Sequence, residues 1–137
     1  MIKIDVLKNH PDTLEELLVI WHEVFGKIWV PDITIESFRL KFKNHLNDEI
    51  MPMTFIALDD AKPVGMCSLR ENNGLNNSYK PWFCSFCVAA EYQGRGIGKQ
   101  LMNKALEKAK QLGCDRLYLC VIDDSMRRYY EKLGWKQ

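Results

Sequence analysis

The sequence predicts an α/β domain of mixed α+β character, and three patterns carry that expectation. Residues 53–58 and 64–70 read as two strands joined across Asp59-Asp60-Ala61-Lys62-Pro63, a hairpin-like connection. An apolar run near 82–89, an amphipathic helix pattern after Ile97 and a second apolar run at 117–122 form a strand–helix–strand unit. Such a unit closes right-handed with its strands parallel. Helix-period segments also precede the hairpin and end the chain. With 137 residues, 47% of them hydrophobic and 27% charged, the chain is expected to be one domain, 1–137, able to bury a real core.

In chain order, Ile2-Lys3-Ile4-Asp5-Val6-Leu7 alternates like a half-buried strand. Pro11 suits the first position of a helix, with Asp12 and Glu15 in the turn that the helix dipole favours for acids. Leu14, Leu17, Leu18, Trp21 and Phe25 then recur at helical spacing, and Gly26 is expected to stop the helix. Thr34 is positioned as the N-cap of a second helix over 35–46, with Ile35, Phe38, Phe42 and Leu46 on its apolar face. The aromatic-bearing connection Lys27–Ile33 either lines a pocket or packs. After the hairpin, Asn72–Ser78 is polar and turn-rich. The helix after the 82–89 strand carries a stripe of Ile97, Leu101, Ala105, Leu106, Ala109 and Leu112, closed by Gly113. Leu117–Ile122 is continuously apolar, as expected of a strand covered on both faces. A last helix spans 125–133.

Composition excludes several functions. The net charge is +1 and Lys and Arg are spread along the chain, whereas neutralising nucleic-acid phosphates needs a basic face. No apolar run reaches bilayer-spanning length, and Met1-Ile2-Lys3-Ile4-Asp5 lacks a signal peptide's apolar core, so a cytoplasmic protein with no membrane partner is expected. Five cysteines without a secretory signal are expected to be reduced thiols. Cys84-x-x-Cys87 falls in a predicted strand, where residues three apart face opposite sides unless a bulge intervenes; no metal is expected there. His22-Glu23-Val24-Phe25-Gly26 breaks the H-E-x-x-H zinc pattern, and Ser85 lacks a G-x-S-x-G elbow.

Chemistry concentrates at Gln93-Gly94-Arg95-Gly96-Ile97-Gly98-Lys99. Glycines let the backbone approach a bulky group closely and adopt positive φ without cost. They stand where a helix begins, and its first-turn N–H groups lack internal partners, which makes a cradle for a phosphate or pyrophosphate. The loop is neither a dinucleotide fingerprint nor a P-loop: from Gly94 the last fingerprint position is Lys99, and a P-loop register would begin at Gln93 and end at Gln100.

What remains, Gln93-x-x-Gly96-x-Gly98, resembles the Q/R-x-x-G-x-G/A acetyl-CoA signature of GCN5-related N-acetyltransferases. The segment Asp123–Trp135, with Tyr130-Glu131-Lys132-Leu133-Gly134-Trp135, resembles that family's second signature at the expected distance downstream. The resemblance implies a twisted mixed sheet flanked by helices, with the fourth and fifth strands splayed around acetyl-CoA. It implies that the backbone of Phe86, Cys87 and Val88 pairs with the pantetheine arm, in the manner of an added strand. It also puts the pyrophosphate on amides from Gln93 to Lys99, through Gly94, Arg95, Gly96, Ile97 and Gly98, with Arg95 and Lys99 as auxiliary cations.

The implied reaction is acetyl transfer to a primary amine of a small molecule or peptide by direct attack in a ternary complex. The alternative is an acyl-CoA-binding module of the same fold without catalysis. A lysine-like amine must lose its proton to attack, which costs about 4.6 kcal/mol at pH 7. Glu71 and His22 are the nearest candidate bases. By the same resemblance Tyr130 protonates the departing thiolate, a role open to a phenol with an ordinary pKa near 10. Tyr129, about 100° away on the helix, is expected to pack elsewhere. Two departures stand out. Asp123 occupies a cofactor-contact position where relatives have Asn. The chain also stops at Gln137, where relatives continue into further strands, so either the chain is truncated or the sheet edge is completed otherwise, as by a second subunit in a homodimer.

Overall fold

Alternating and continuous apolar runs become four antiparallel strands in chain order: β1 (Ile2–Val6), β2 (Met53–Asp59), β3 (Lys62–Arg70) and β4 (Trp82–Val88). The computed structural model describes residues 1–72 and 78–136; of the expected 72–78 turn, residues 73–77 lie outside the described residues. Helices cover both faces of the sheet, so β2 and β3 are buried along almost their whole length.

On one face, α4 (Ile97–Gln111) presents Ile97, Leu101, Met102, Ala105 and Ala109 to Phe55, Cys67, Leu69 and Phe83. On the other, Leu17, Leu18 and Trp21 of α1 (Leu14–Trp21) pack with Phe38 of α3 (Ile35–Lys41) against Ile56, Leu58, Met66 and Cys87. Trp21 stacks on Phe38 with ring centroids 3.8 Å apart. Thr34 caps α3 as expected, accepting a bond from the Ser37 amide at 3.0 Å. That helix tightens into a 3-10 turn at Phe42–Asn44, short of the expected end at 46.

Gly26 does not stop the first helix. Its backbone is helical, and the chain runs on through a π-turn at His22–Gly26 into α2 (Lys27–Trp29). The glycine serves packing instead, since a Cβ there would lie 2.6 Å from the Trp21 ring.

The expected parallel strand pair shrinks to one bridge. Tyr118 pairs with Trp82, the Phe83 amide donating to the Tyr118 carbonyl at 2.7 Å and the Tyr118 amide to the Pro81 carbonyl at 3.0 Å. Beyond it Cys120 and Ile122 are exposed, so the run at 117–122 is not covered on both faces. The reason lies in β4: Ser85 has φ +55°, and between the pairs Met66–Cys87 and Ser68–Cys84 two residues of β4, Ser85 and Phe86, oppose the single residue Cys67 of β3. This bulge takes β4 out of a regular ladder. It also brings Cys84 and Cys87 to the same, α1-facing side, and burial pushes the Cys87 thiol up to about 12. Among the described residues no three His, Cys, Asp or Glu cluster as a metal site would require, and no helix is long and apolar enough to cross a membrane.

The chain ends in α5 (Asp124–Lys132). After it, Trp135 donates its indole N–H to the Met102 sulfur at 3.3 Å, which ties the C-terminal segment to α4.

Candidate active site

Between β4 and α4 the chain makes a 3-10 turn at Ala90–Tyr92, then passes through two left-handed glycines, Gly94 (φ +79°) and Gly96 (φ +81°). Those conformations cost other residues about 1–2 kcal/mol each, and they aim the following amides along the start of α4. The backbone N–H groups from Gly94 to Lys99 make no hydrogen bond among the described residues, the first helical bond being Gln100 N–H to the Gly96 carbonyl at 3.1 Å. The Gln93 amide differs from the expectation, since it is already bonded to the Ala90 carbonyl. Its side chain donates to the Val88 carbonyl at 2.9 Å and ties the loop to the strand end.

Gly94, Gly96, Ile97, Gly98 and Lys99 line a cavity of about 550 Å³ together with Gln93, Phe86, Cys87 and Val88. The space is kept by Gly98, whose added Cβ would lie 3.0 Å from the Phe86 ring and 3.3 Å from the Tyr129 hydroxyl. Arg95 is not among the lining residues: its guanidinium bonds to the Glu91 carbonyl at 3.0 Å and lies 4.9 Å over the Tyr92 ring. Tyr92 is itself fixed by donating to Asp59 at 2.6 Å, which anchors the turn to β2. Asp123 lies away from this cavity as well. Its carboxylate caps α5, accepting from the Met126 amide at 2.9 Å and the Ser125 hydroxyl at 2.8 Å, and those bonds hold it below the usual carboxylate range.

A second cavity of about 270 Å³ adjoins the first and shares Phe25 and Phe86 with it. It opens between the bulged stretch Ser85–Phe86 of β4 and Leu119–Cys120, where the parallel pairing has ended. Trp21, Phe38, Val30 and Ile33 form its apolar wall, so the 27–33 connection does line a pocket. Tyr130 lines this cavity and Tyr129 lines the first one, contrary to the expectation that Tyr129 packs elsewhere. The two phenols meet edge to face at 5.3 Å and both pack against Phe86. Burial, then the neighbouring Tyr129, pushes the Tyr130 hydroxyl far above its ordinary value, so it is protonated at neutral pH. Neither Glu71 nor His22 is among the lining residues, and no described Asp, Glu or His lines either cavity. Val24 and Phe25 of the π-turn, which line the first cavity, had no signal in the sequence beyond helical spacing.

The profile of the Acetyltransferase (GNAT) family matches residues 14–135. The spermine/spermidine N(1)-acetyltransferase of Bacillus subtilis (strain 168) is 27% identical over 64 residues, covering 44% of this chain and 42% of that protein. An uncharacterized N-acetyltransferase of the same organism, YobR, is 27% identical over 126 residues, covering 84% of this chain and 48% of its own length. The chain therefore spans less than half the length of these relatives. A GCN5-related N-acetyltransferase from Ralstonia eutropha JMP134 superposes with a TM-score of 0.76 at 18% identity, covering 100% of this chain and 94% of that one, which shows the shared fold.

Proposed function

The chain belongs to the acetyltransferase (GNAT) family, and from that membership we propose that residues 1–137 form one acetyl-CoA-dependent N-acetyltransferase domain. It would move an acetyl group to a primary amine by direct attack in a ternary complex. The observation that carries this reading is the row of unbonded amides from Gly94 to Lys99, at the head of a 15-residue helix and open to the larger cavity. Donors left without partners beside a helix N-terminus are costly unless an anion or water meets them, and a diphosphate fits that need. Lys99 adds a positive charge on the cavity wall, whereas Arg95 is engaged with Glu91 and Tyr92.

Acetyl-CoA, when bound, supplies an activated thioester carbonyl. Gly94, Gly96 and Gly98 keep side chains out of the diphosphate's path, and β4 from Phe86 to Val88 forms the wall along which the pantetheine arm would lie. The Val88 carbonyl already accepts from Gln93, which leaves fewer backbone partners there. Tyr130 holds a proton on its phenol oxygen for the departing sulfur, and its burial keeps that proton in place until charge develops beside it. With no acid or imidazole among the described residues of either wall, the amine reaches the site neutral or loses its proton to solvent.

A thiol-release assay with acetyl-CoA and a panel of amines tests the reading. Spermidine belongs in that panel because of the name one relative carries. Acetyl-CoA binding without turnover on any amine would favour the non-catalytic acyl-CoA-binding alternative. Parallel Tyr129→Phe and Tyr130→Phe variants show which phenol serves, since the two line adjoining cavities.

A further inference from the structure

The smaller cavity holds one charged side chain among the described residues that line it, and that charge has no counterion among the described residues. Arg70, at the end of β3, is in none of the ion pairs formed among the described residues, and its buried Nη2 has no hydrogen-bond partner. The guanidinium is nevertheless held in place. Its Nε–H donates to Nε2 of buried His45 at 3.2 Å, and it lies 5.9 Å over the Phe42 ring.

Because arginine can only donate, His45 accepts at Nε2 and so carries its proton on Nδ1. That proton goes to Thr54 Oγ at 2.8 Å, and the Thr54 hydroxyl in turn meets Ser68 at 2.7 Å. Thr54 and Ser68 are fully buried, so the chain His45–Thr54–Ser68 is a fixed support, and every member points away from neutralising Arg70. A half-buried cation with partners that orient it and none that balance it is an expensive arrangement for the free protein. It is a favourable one for an incoming anion, because guanidinium pairs with a carboxylate through two parallel bonds.

On the acetyltransferase reading, this cavity is where the amine would stand, with Tyr130 on one wall and Arg70 on another. We propose that the acceptor carries a carboxylate that pairs with Arg70, an apolar body against Trp21 and Phe38, and its amine on the Tyr130 side. A polyamine is disfavoured here: no described Asp or Glu lines the cavity, and a second cation would face Arg70. At about 270 Å³ the space suits a metabolite of amino-acid size or a single side chain.

Calorimetric binding to the CoA-loaded protein separates the cases with matched pairs. These are L-phenylalanine against phenethylamine and para-(aminomethyl)benzoate against benzylamine, with spermidine as the cationic member. The carboxylate member of at least one pair is expected to bind about tenfold or more tightly than its neutral twin. Arg70→Met should erase that difference, and Arg70→Lys should keep part of it, since the charge stays while the fork is lost. CoA binding by each variant reports that it is folded. Equal or tighter binding of the neutral twins or of spermidine to the unmodified protein overturns the proposal, as does no binding of either carboxylate. If the carboxylate preference is present but no amine is acetylated, the anion site stands and the enzymatic reading alone fails.

Discussion

Replacing Gly98 by Ala separates the space that the glycine loop keeps open from the stability of the helix it begins. Gly98 has helical backbone, so the substitution adds no φ strain, and Ala gains about 1 kcal/mol of helix propensity over Gly. Against this, the new Cβ would lie 3.0 Å from the Phe86 ring and 3.3 Å from the Tyr129 hydroxyl. Phe86 cannot swing freely, because Phe83, Tyr130 and Tyr129 surround it with centroids 5.2, 6.2 and 6.5 Å away. Overpacking of this kind costs about 1–3 kcal/mol, so net stability should change by no more than about 2 kcal/mol. The cavity floor pays instead. Displacing one charge-assisted contact between an amide and a phosphate forfeits about 1.5–3 kcal/mol, which raises the Kd for CoA at least about tenfold. Gly113→Ala is the control. Gly113 has φ +83° and open space around its Cβ direction, so Ala there costs about 1–2 kcal/mol through backbone strain and leaves CoA affinity alone. Titration calorimetry with CoA and thermal melts on both variants give the two readings. A Gly98→Ala protein that binds CoA like its parent would refute the claim that the bare Cα of Gly98 keeps the cavity open beside Phe86 and Tyr129.

On the proposed reading, in which the phenol protonates the leaving sulfur, Tyr130→Phe should lower kcat by about a hundredfold while CoA affinity stays within about twofold; equal rates in steady-state assays would remove it as the acid. With no carboxylate or imidazole among the described residues lining the cavities, log kcat/KM should climb with slope near one from pH 6 towards the pKa of the amine; a plateau beginning near pH 6–7 would reveal a protein base. His45 links stability to acid. Burial, then the charge of Arg70, holds its folded pKa down at about 3, against 6.5 for an ordinary imidazole. Between those values the unfolded chain binds the extra proton, so the stability present above about pH 6.5 falls by about 1.4 kcal/mol per unit until about pH 3. Urea midpoints measured from pH 7 to pH 4.5 should show that slope, and His45→Asn should remove its share; an identical slope in the variant would mean that other groups set it.

Much of the architecture was legible because its signals are local. Thr34 before an apolar period, Gly113 after one, and Asp59–Pro63 between two β-rich runs each mark a boundary through the chain's own backbone chemistry. The glycine loop was legible for the same reason. Distant partners were not. Gly26 looked like a stop because the Trp21 ring that needs its bare Cα is invisible in one dimension. Arg95 and Asp123 looked like ligands, yet a nearby carbonyl, an aromatic face and a helix N-terminus claim them. Tyr129 and Tyr130 differ by one helical step, and only the packing of α5 against Phe86 decides which cavity each lines. His45 gave no signal in the sequence, because Thr54 and Arg70, which give it its bonds, stand on two other elements.

Ser85 adds one residue to β4 relative to the β3 it pairs with. Trp82-Phe83-Cys84 and Phe86-Cys87-Val88 follow two alternations of opposite phase, spliced at a single position. Deleting Ser85 would make one continuous alternation: Phe86 and Val88 would keep facing α4 and Cys87 α1, but the bulge would be gone and the strand would run straight alongside Tyr118. The gap between Ser85–Phe86 and Leu119–Cys120 would become ordinary ladder, so the space in which the proposed reactants would meet depends on one serine that the sheet does not count.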